Sequence, residues 1–225
     1  MKHIQQKAML VMLAVLHFTE FSQSGLHAVI TDFNKNEQQK RPVSLAYVNI
    51  VIRDLGSKGF VEHTTKNISH PFTSKRKTEG QIRYHLANPI GLLQYIALFR
   101  RMNELNKFRL QVDADEDVII EHLRSKGAIF CLGTAQSSYS SYFRPDGIDF
   151  YHSRPEELLS DLKTARPGKR ILRCYNLDFD PQNGFSVDQA RGTSTSRVQT
   201  VVDMFCDNSG VYTKSLLKEL WGIEI

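Results

Sequence analysis

The chain has 225 residues, of which 41% are hydrophobic and 24% are charged. These values are typical of a folded protein with its own hydrophobic core, and they exclude wholesale disorder. The net charge of +5 is uneven, because residues 1–110 carry 16 Lys and Arg against 7 Asp and Glu, whereas residues 111–225 carry 13 against 17. A basic first half indicates a polyanionic partner. Ordinary scatter of solvated surface charge is the alternative.

The three cysteines, Cys131, Cys174 and Cys206, are far apart, and each lies in an apolar run. Since they are odd in number and form no CxxC pair, we expect buried free thiols in a reducing cytoplasm. A metal site built from them is disfavoured, and we expect no cofactor.

The apolar run over residues 8–18 follows Lys2 and Lys7, and in this it imitates a signal peptide. His17 and Glu20 interrupt it, no clear cleavage site follows, and it is too short to span a bilayer. We therefore predict a buried first helix over residues 4–18, a cytoplasmic protein and no membrane partner.

A turn over residues 18–25 leads to a second predicted helix over residues 25–36. Leu26, Ile30 and Phe33 recur on one face of it at helical spacing. A polar connector carrying Lys40 and Arg41 follows.

A third helix is predicted from Ser44, whose hydroxyl is a suitable N-cap, to Gly56 and Gly59, which end it. One apolar stripe is expected to face the core: Val48, Val51, Ile52 and Leu55. The residues that lie largely off that stripe are free to face a partner: Ser44, Tyr47, Asn49 and Arg53.

Two strands are predicted next, over residues 60–64 and 81–86, because apolar and polar residues alternate in both. The long segment between them is basic, and Arg83 extends the same charge into the second strand. Such a charge run is usually an exposed loop. Because this one lies between two strands directly after the third helix, it is also placed to bind DNA phosphates.

A helix ending in IRDLGSKGFV and followed by a basic hairpin resembles the recognition helix and wing of winged helix-turn-helix DNA-binding domains. The resemblance covers about residues 5–106. It implies that the third helix enters the major groove while the wing lies along the phosphates. Asn49 is then expected to read adenine and Arg53 to contact guanine or a phosphate. The expected DNA-binding residues are Lys40, Arg41, Ser44, Tyr47, Asn49, Arg53, Lys58, Lys66, Lys75, Arg76, Lys77 and Arg83.

Asn88 and Pro89 are typical of a helix start, and one helix is predicted over residues 89–107. It has more apolar surface than a lone solvent-facing helix should show. A dimer contact and a linker helix packed on a second domain remain equal alternatives.

Beyond residue 107 strands alternate with helices, which predicts an α/β domain over residues 107–225. The expected fold is therefore a two-domain α+β protein, with a winged helix-turn-helix in residues 1–106. Strands are expected over residues 108–114, 128–135, 147–153 and 169–179, and helices over residues 116–127, 136–143, 154–165, 197–207 and 211–222.

Chemical motifs are sparse. The chain contains no GxSxG elbow and no phosphate-binding glycine loop. Asp178, Asp180 and Asp188 are candidates for a divalent metal, although a turn is the favoured interpretation. Because no nucleophile, base and orienting group occur together, we do not expect an enzyme.

The strand with Cys131 to Ala135, the Tyr/Ser helix after it, GIDFYHS and RVQTVVDMF look like the C-terminal part of the AbiEi-type antitoxin family. That resemblance implies autoregulation of an operon and neutralisation of a nucleotidyltransferase-like toxin. The sequence thus predicts a homodimeric DNA-binding transcriptional regulator. The alternative is an antitoxin-like module that binds a partner protein. The second domain would sense a small effector, bind a protein or assemble the oligomer.

Overall fold

A computed structural model describes residues 6–33, 43–64, 82–140, 143–162, 168–179, 184–188, 190 and 193–224. The chain divides into two compact units, Gln5–Leu92 and Leu93–Ile225. The expected mixed α+β class is confirmed, since both units combine helices with a small sheet. The division between the units lies earlier in the chain than the 106/107 boundary expected from the sequence.

The first unit follows the order helix, short strand, two helices and two strands. Its helices are α1 (Gln6–His17), α2 (Gln23–Phe33) and α3 (Leu45–Ser57), and its strands are β1 (Glu20–Phe21), β2 (Val61–Thr64) and β3 (Arg83–Leu86). The helix α1 is buried from Leu10 to Leu16, as its apolar composition predicts. Among the described residues, no helix is both long enough and apolar enough to cross a bilayer.

The three strands form an antiparallel sheet in the order β1-β3-β2. The sequence pattern predicts only a turn over residues 18–25, and this prediction is wrong at β1. Phe21 is buried in β1 and stacks on Tyr84 of β3 with ring centroids 5.8 Å apart. Two residues are too few to show a strand pattern, so this pairing rests on contacts distant in sequence.

The prediction of a single helix over residues 89–107 is also wrong. The structure has α4 (Pro89–Ala97), a non-helical connection, the short α5 (Met102–Leu105) and then β4 (Asn106–Val112). Arg100 lies in the connection and is only 8% exposed. Its buried charge needs partners, and the break in the helix allows the Arg100 guanidinium to reach polar groups of the second unit.

The second unit contains a four-stranded sheet in the order β4-β7-β6-β5, with β5 at Ile129–Phe130, β6 at Ile148–His152 and β7 at Arg170–Asn176. The central strands β6 and β7 are parallel, and both outer pairs are antiparallel. The remaining helices are α6 (Glu116–Ser125), α7 (Leu132–Tyr139), α8 (Pro155–Leu162), α9 (Arg197–Cys206) and α10 (Lys214–Trp221), with a 3₁₀ turn at Gly210–Thr213.

The strand expected over residues 128–135 is shorter than predicted, because α7 begins at Leu132. The Cys131 N–H donates to the Asp149 carbonyl oxygen at 3.0 Å, and the Cys131 carbonyl accepts from the Ala135 N–H at 3.0 Å. Leu132 turns the chain with φ +46°, a conformation that an apolar residue rarely adopts.

The two faces of the central strands differ in chemistry. Because side chains alternate along a strand, Ile148 and Phe150 of β6 lie on one face, in a hydrophobic core that also contains Leu172 and Cys174 of β7. The opposite face carries polar and aromatic side chains from the same two strands: Asp149, Tyr151, Arg173 and Tyr175.

Candidate nucleic-acid interface

The helix α3 buries the stripe that the sequence predicts. Val48, Val51, Ile52 and Leu55 are all buried. The N-cap is also as predicted, because the Ser44 hydroxyl accepts the Tyr47 N–H at 3.2 Å. This cap uses the hydroxyl oxygen and leaves its proton available to a phosphate.

The outward face of α3 consists of Ala46, Ile50, Arg53 and Ser57, which are all exposed and recur at helical spacing. The Arg53 side chain has no ion-pair partner among the described residues. Lys58, by contrast, forms an i,i+4 ion pair with Asp54 on the flank of the same helix. Arg53 is thus the cationic side chain of α3 that is available to form an ion pair with an external anion.

Asn49 is half-buried, and its Oδ1 is shielded from solvent and has no hydrogen-bond partner within the described part of the chain. Reading adenine requires both amide atoms at the base edge. In the observed side-chain conformation Asn49 does not offer both. Tyr47 is also partly buried, and this burial raises the pKa of its hydroxyl.

Ile50 was missed by the sequence reasoning, which singled out polar side chains only. It is 64% exposed, more than any other large apolar residue among those described. A signal was present in the sequence, since Ile50 is three residues before Arg53 and lies off the buried stripe. An apolar side chain at this place is suited to contact a thymine methyl group.

The strands of the first unit carry paired charges. Arg83 of β3 lies 3.9 Å from Glu20, and His85 lies 3.5 Å from Glu62. Arg83 therefore has an acidic neighbour, contrary to the simple picture of a basic ribbon. Six expected contact residues lie outside the described residues: Lys40, Arg41, Lys66, Lys75, Arg76 and Lys77.

The division into units also changes the charge argument. Residues 5–92 carry 11 Lys and Arg against 6 Asp and Glu, a smaller excess than residues 1–110 show. The difference arises chiefly because Arg100, Arg101, Lys107 and Arg109 belong to the second unit. The first unit nevertheless remains basic.

A buried ion cluster in the second unit has no counterpart in the sequence analysis. Arg100 donates to Asp178 through Nε at 2.7 Å and Nη2 at 3.0 Å, and to Asp203 through Nη1 at 2.7 Å. Its Nη2 also donates to the Tyr151 hydroxyl at 2.6 Å. Asp178, a metal candidate in the sequence analysis, accepts hydrogen bonds from Arg100.

Burial dominates the electrostatics of this cluster. It raises the pKa of Asp203 to about 6, although Arg100 opposes the shift. Burial lowers the pKa of Arg100, but Tyr151, Asp178 and Asp203 together raise it by more, so the net pKa is raised and the guanidinium stays charged. Two buried acceptors near the ion pair, Asp203 Oδ2 and Gln199 Oε1, have no hydrogen-bond donor among the described residues.

The prediction of buried free thiols is confirmed. Cys131, Cys174 and Cys206 are all buried and unbridged. Burial raises the pKa of the Cys174 thiol to about 12 and that of Cys206 to about 11. Neither of these two thiols is a reactive thiolate near neutral pH.

Comparison with protein-family models, with curated proteins and with solved structures found no match for this chain.

Proposed function

We propose that the first unit is a winged helix-turn-helix domain and that the chain is a transcriptional regulator that binds double-stranded DNA. Support comes from the element order α1-β1-α2-α3-β2-β3, in which β1 and β2 both pair with β3. A recognition helix followed by a hairpin is the arrangement that places a helix in the major groove and a ribbon near the backbone.

The observation that carries the proposal is the outward face of α3. A helix whose apolar stripe is fully buried presents Ile50 and Arg53 side by side to solvent. Arg53 supplies a charge-assisted hydrogen bond to guanine or phosphate, and Ile50 supplies an apolar contact. The mechanism is equilibrium binding, without chemistry on a substrate.

The test is binding of the full chain to duplex DNA selected from a random pool, measured by fluorescence anisotropy at several salt concentrations. We expect Arg53→Glu to weaken binding more than about 10-fold, since it replaces a charge-assisted hydrogen bond with repulsion. The salt slope separates the two roles of Arg53. If Arg53 contacts a phosphate, its loss reduces the steepness of the plot of log affinity against log salt concentration by about 0.9. If Arg53 contacts a base, its loss relaxes the sequence preference instead.

The matched control is Arg124→Glu, which makes the same charge change on an exposed helix position of the second unit. It should leave DNA affinity unchanged. Equal affinities of the wild type and Arg53→Glu, or failure of the pool to yield any bound duplex, would refute the proposal.

A second candidate function is an antitoxin-like role in which the chain neutralises a partner protein and regulates its own operon. The exposed apolar side chains at Leu45 (41% exposed) and Ile50 (64% exposed) favour it, because protein interfaces use such contacts. Stoichiometric co-purification with one protein, together with no affinity for any duplex, would select this function over DNA binding.

A further inference from the structure

The second unit contains a cavity of about 490 Å³ on the polar side of its sheet. The cavity is bounded by the start of α7, the segment 143–146, the strands β6 and β7, and the end of α9 with the turn after it. This volume lies within the usual range for small-molecule sites. The DNA-binding proposal makes no use of it.

An ion pair forms the base of the cavity. Asp149, only 1% exposed, accepts from Arg173 Nε at 2.5 Å and Nη2 at 3.0 Å. The same guanidinium donates to Asp146 at 2.6 and 3.3 Å. Arg173 is therefore occupied by two carboxylates, and little of its hydrogen-bonding capacity is left for an anionic ligand.

Negative charge is in excess around this cavity. Asp207 adds a third carboxylate, whose Oδ2 accepts a hydrogen bond from the Ser209 hydroxyl at 3.0 Å. The other lining cation is Arg144, whose side chain is exposed to solvent. Burial raises the pKa of Asp149 and of Asp207, and repulsion from Asp146 adds to both shifts.

Aromatic rings form the wall at the cavity mouth. The rings of Phe143 and Tyr212 lie 5.9 Å apart, and Tyr212 is 60% exposed. Gly133 makes room for this wall, because a Cβ there would lie 3.0 Å from Phe143 Cε1. Aromatic faces beside carboxylates attract organic cations, through the ring quadrupole as well as through charge.

We propose that this cavity binds a small organic cation, with an ammonium or guanidinium group at Asp207 and an apolar or aromatic body against Phe143 and Tyr212. The bound cation offsets the one negative charge that remains when the three lining carboxylates are set against Arg173 and Arg144. The ligand is an effector-sized molecule, and its site belongs entirely to the second unit.

The test is isothermal titration of the full chain with tyramine and with 3-(4-hydroxyphenyl)propionate, which has a similar aromatic body but a negative charge. We expect tyramine to bind and the propionate not to bind. Asp207→Asn should weaken tyramine binding about 10-fold, and Tyr212→Ala should weaken it several-fold.

Matched controls exist for both substitutions. Asp117→Asn removes an exposed carboxylate on α6, and Val211→Ala truncates an exposed side chain (58% exposed) next to Tyr212 that does not line the cavity. Neither should change tyramine binding. No binding of tyramine at millimolar concentration, tighter binding of the propionate, or equal affinities of the wild type and Asp207→Asn would overturn the proposal. No DNA is present in this assay, so its result is independent of the proposed DNA binding.

Discussion

Ile50 projects into solvent from the middle of α3, where a soluble helix gains nothing from an apolar side chain. If α3 lies in the major groove, Ile50 is placed to contact a thymine methyl group, and losing one such contact costs about 0.8 kcal/mol, or roughly fourfold in affinity. We therefore expect thymine-to-uracil replacement at one position of the selected duplex to weaken wild-type binding by about that factor.

The same replacement should have no effect on Ile50→Ala, which lacks the contact. The control is Ile82→Ala, an exposed apolar position outside α3 (50% exposed), which should retain the wild-type response to uracil. Tight DNA binding with the same response to uracil in the wild type and Ile50→Ala would contradict the role of Ile50 while leaving DNA binding intact.

The raised pKa of Asp203 predicts how the free energy of unfolding depends on pH. Because its pKa is raised from 3.8 to about 6 in the folded protein, the folded state holds a proton in this interval that the unfolded chain has released. The stabilising contribution of this group is therefore present at low pH, falls as the pH rises from about 4 to about 6, and stays lost above that. Asp203→Asn replaces the carboxyl with a neutral group of similar shape.

The free energy of unfolding of Asp203→Asn should therefore rise relative to wild type by up to about 3 kcal/mol between pH 4 and pH 7. Urea unfolding at four pH values measures it, with Asp117→Asn as the exposed control. Parallel pH profiles for the wild type and Asp203→Asn would show that burial does not dominate at Asp203.

The helix α3 shows which elements a sequence can specify. Its stripe, its N-cap at Ser44 and its end near Gly59 follow from local rules of spacing, capping and left-handed backbone conformation, and Gly59 indeed has φ +73°. Each of these rules uses residues within one or two helical turns. Such elements are predictable because their energetics are mostly local.

The connection between α4 and α5 shows the opposite case. The apolar pattern continues through residues 89–107, yet the helix breaks so that Arg100 reaches Asp178 and Asp203. These partners are 78 and 103 residues away in the chain. A buried charge outweighs local helix propensity, because leaving it unpaired costs several kcal/mol. No local pattern reveals such a partner.

The candidate site was predictable only in part for the same reason. Helical spacing places Arg53 on the outward face of α3, and the structure agrees. The shielded Oδ1 of Asn49 and the pairing of Lys58 with Asp54 depend on side-chain conformation, which the spacing does not determine. The cavity in the second unit is lined by five separate segments, and no sequence motif indicated it.

The proposed binding to double-stranded DNA leads to a prediction about the assembly of the whole chain. We propose a homodimer, because a two-fold protein binds a two-fold DNA site with both of its recognition helices. Leu92, Leu93 and Ile96 of α4 are already buried within one chain, which leaves little of the predicted helix 89–107 to form a dimer contact. Leu98, directly after α4, is the large apolar residue of this segment that remains exposed, at 63%.

Light scattering should therefore give twice the chain mass of 25.8 kDa for the wild type. If Leu98 belongs to the dimer contact, Leu98→Asp should give the single mass, since a buried unpaired carboxylate is costly. Val118→Asp, at an equally exposed apolar position on α6 (62% exposed), is the control and should remain dimeric. The selected DNA sites should then contain inverted half-sites one helical turn apart, or a multiple of it, and only the dimer should bind them tightly. A single mass for the wild type together with unpaired half-sites would mean that one α3 is sufficient, and the chain would then act as a monomer.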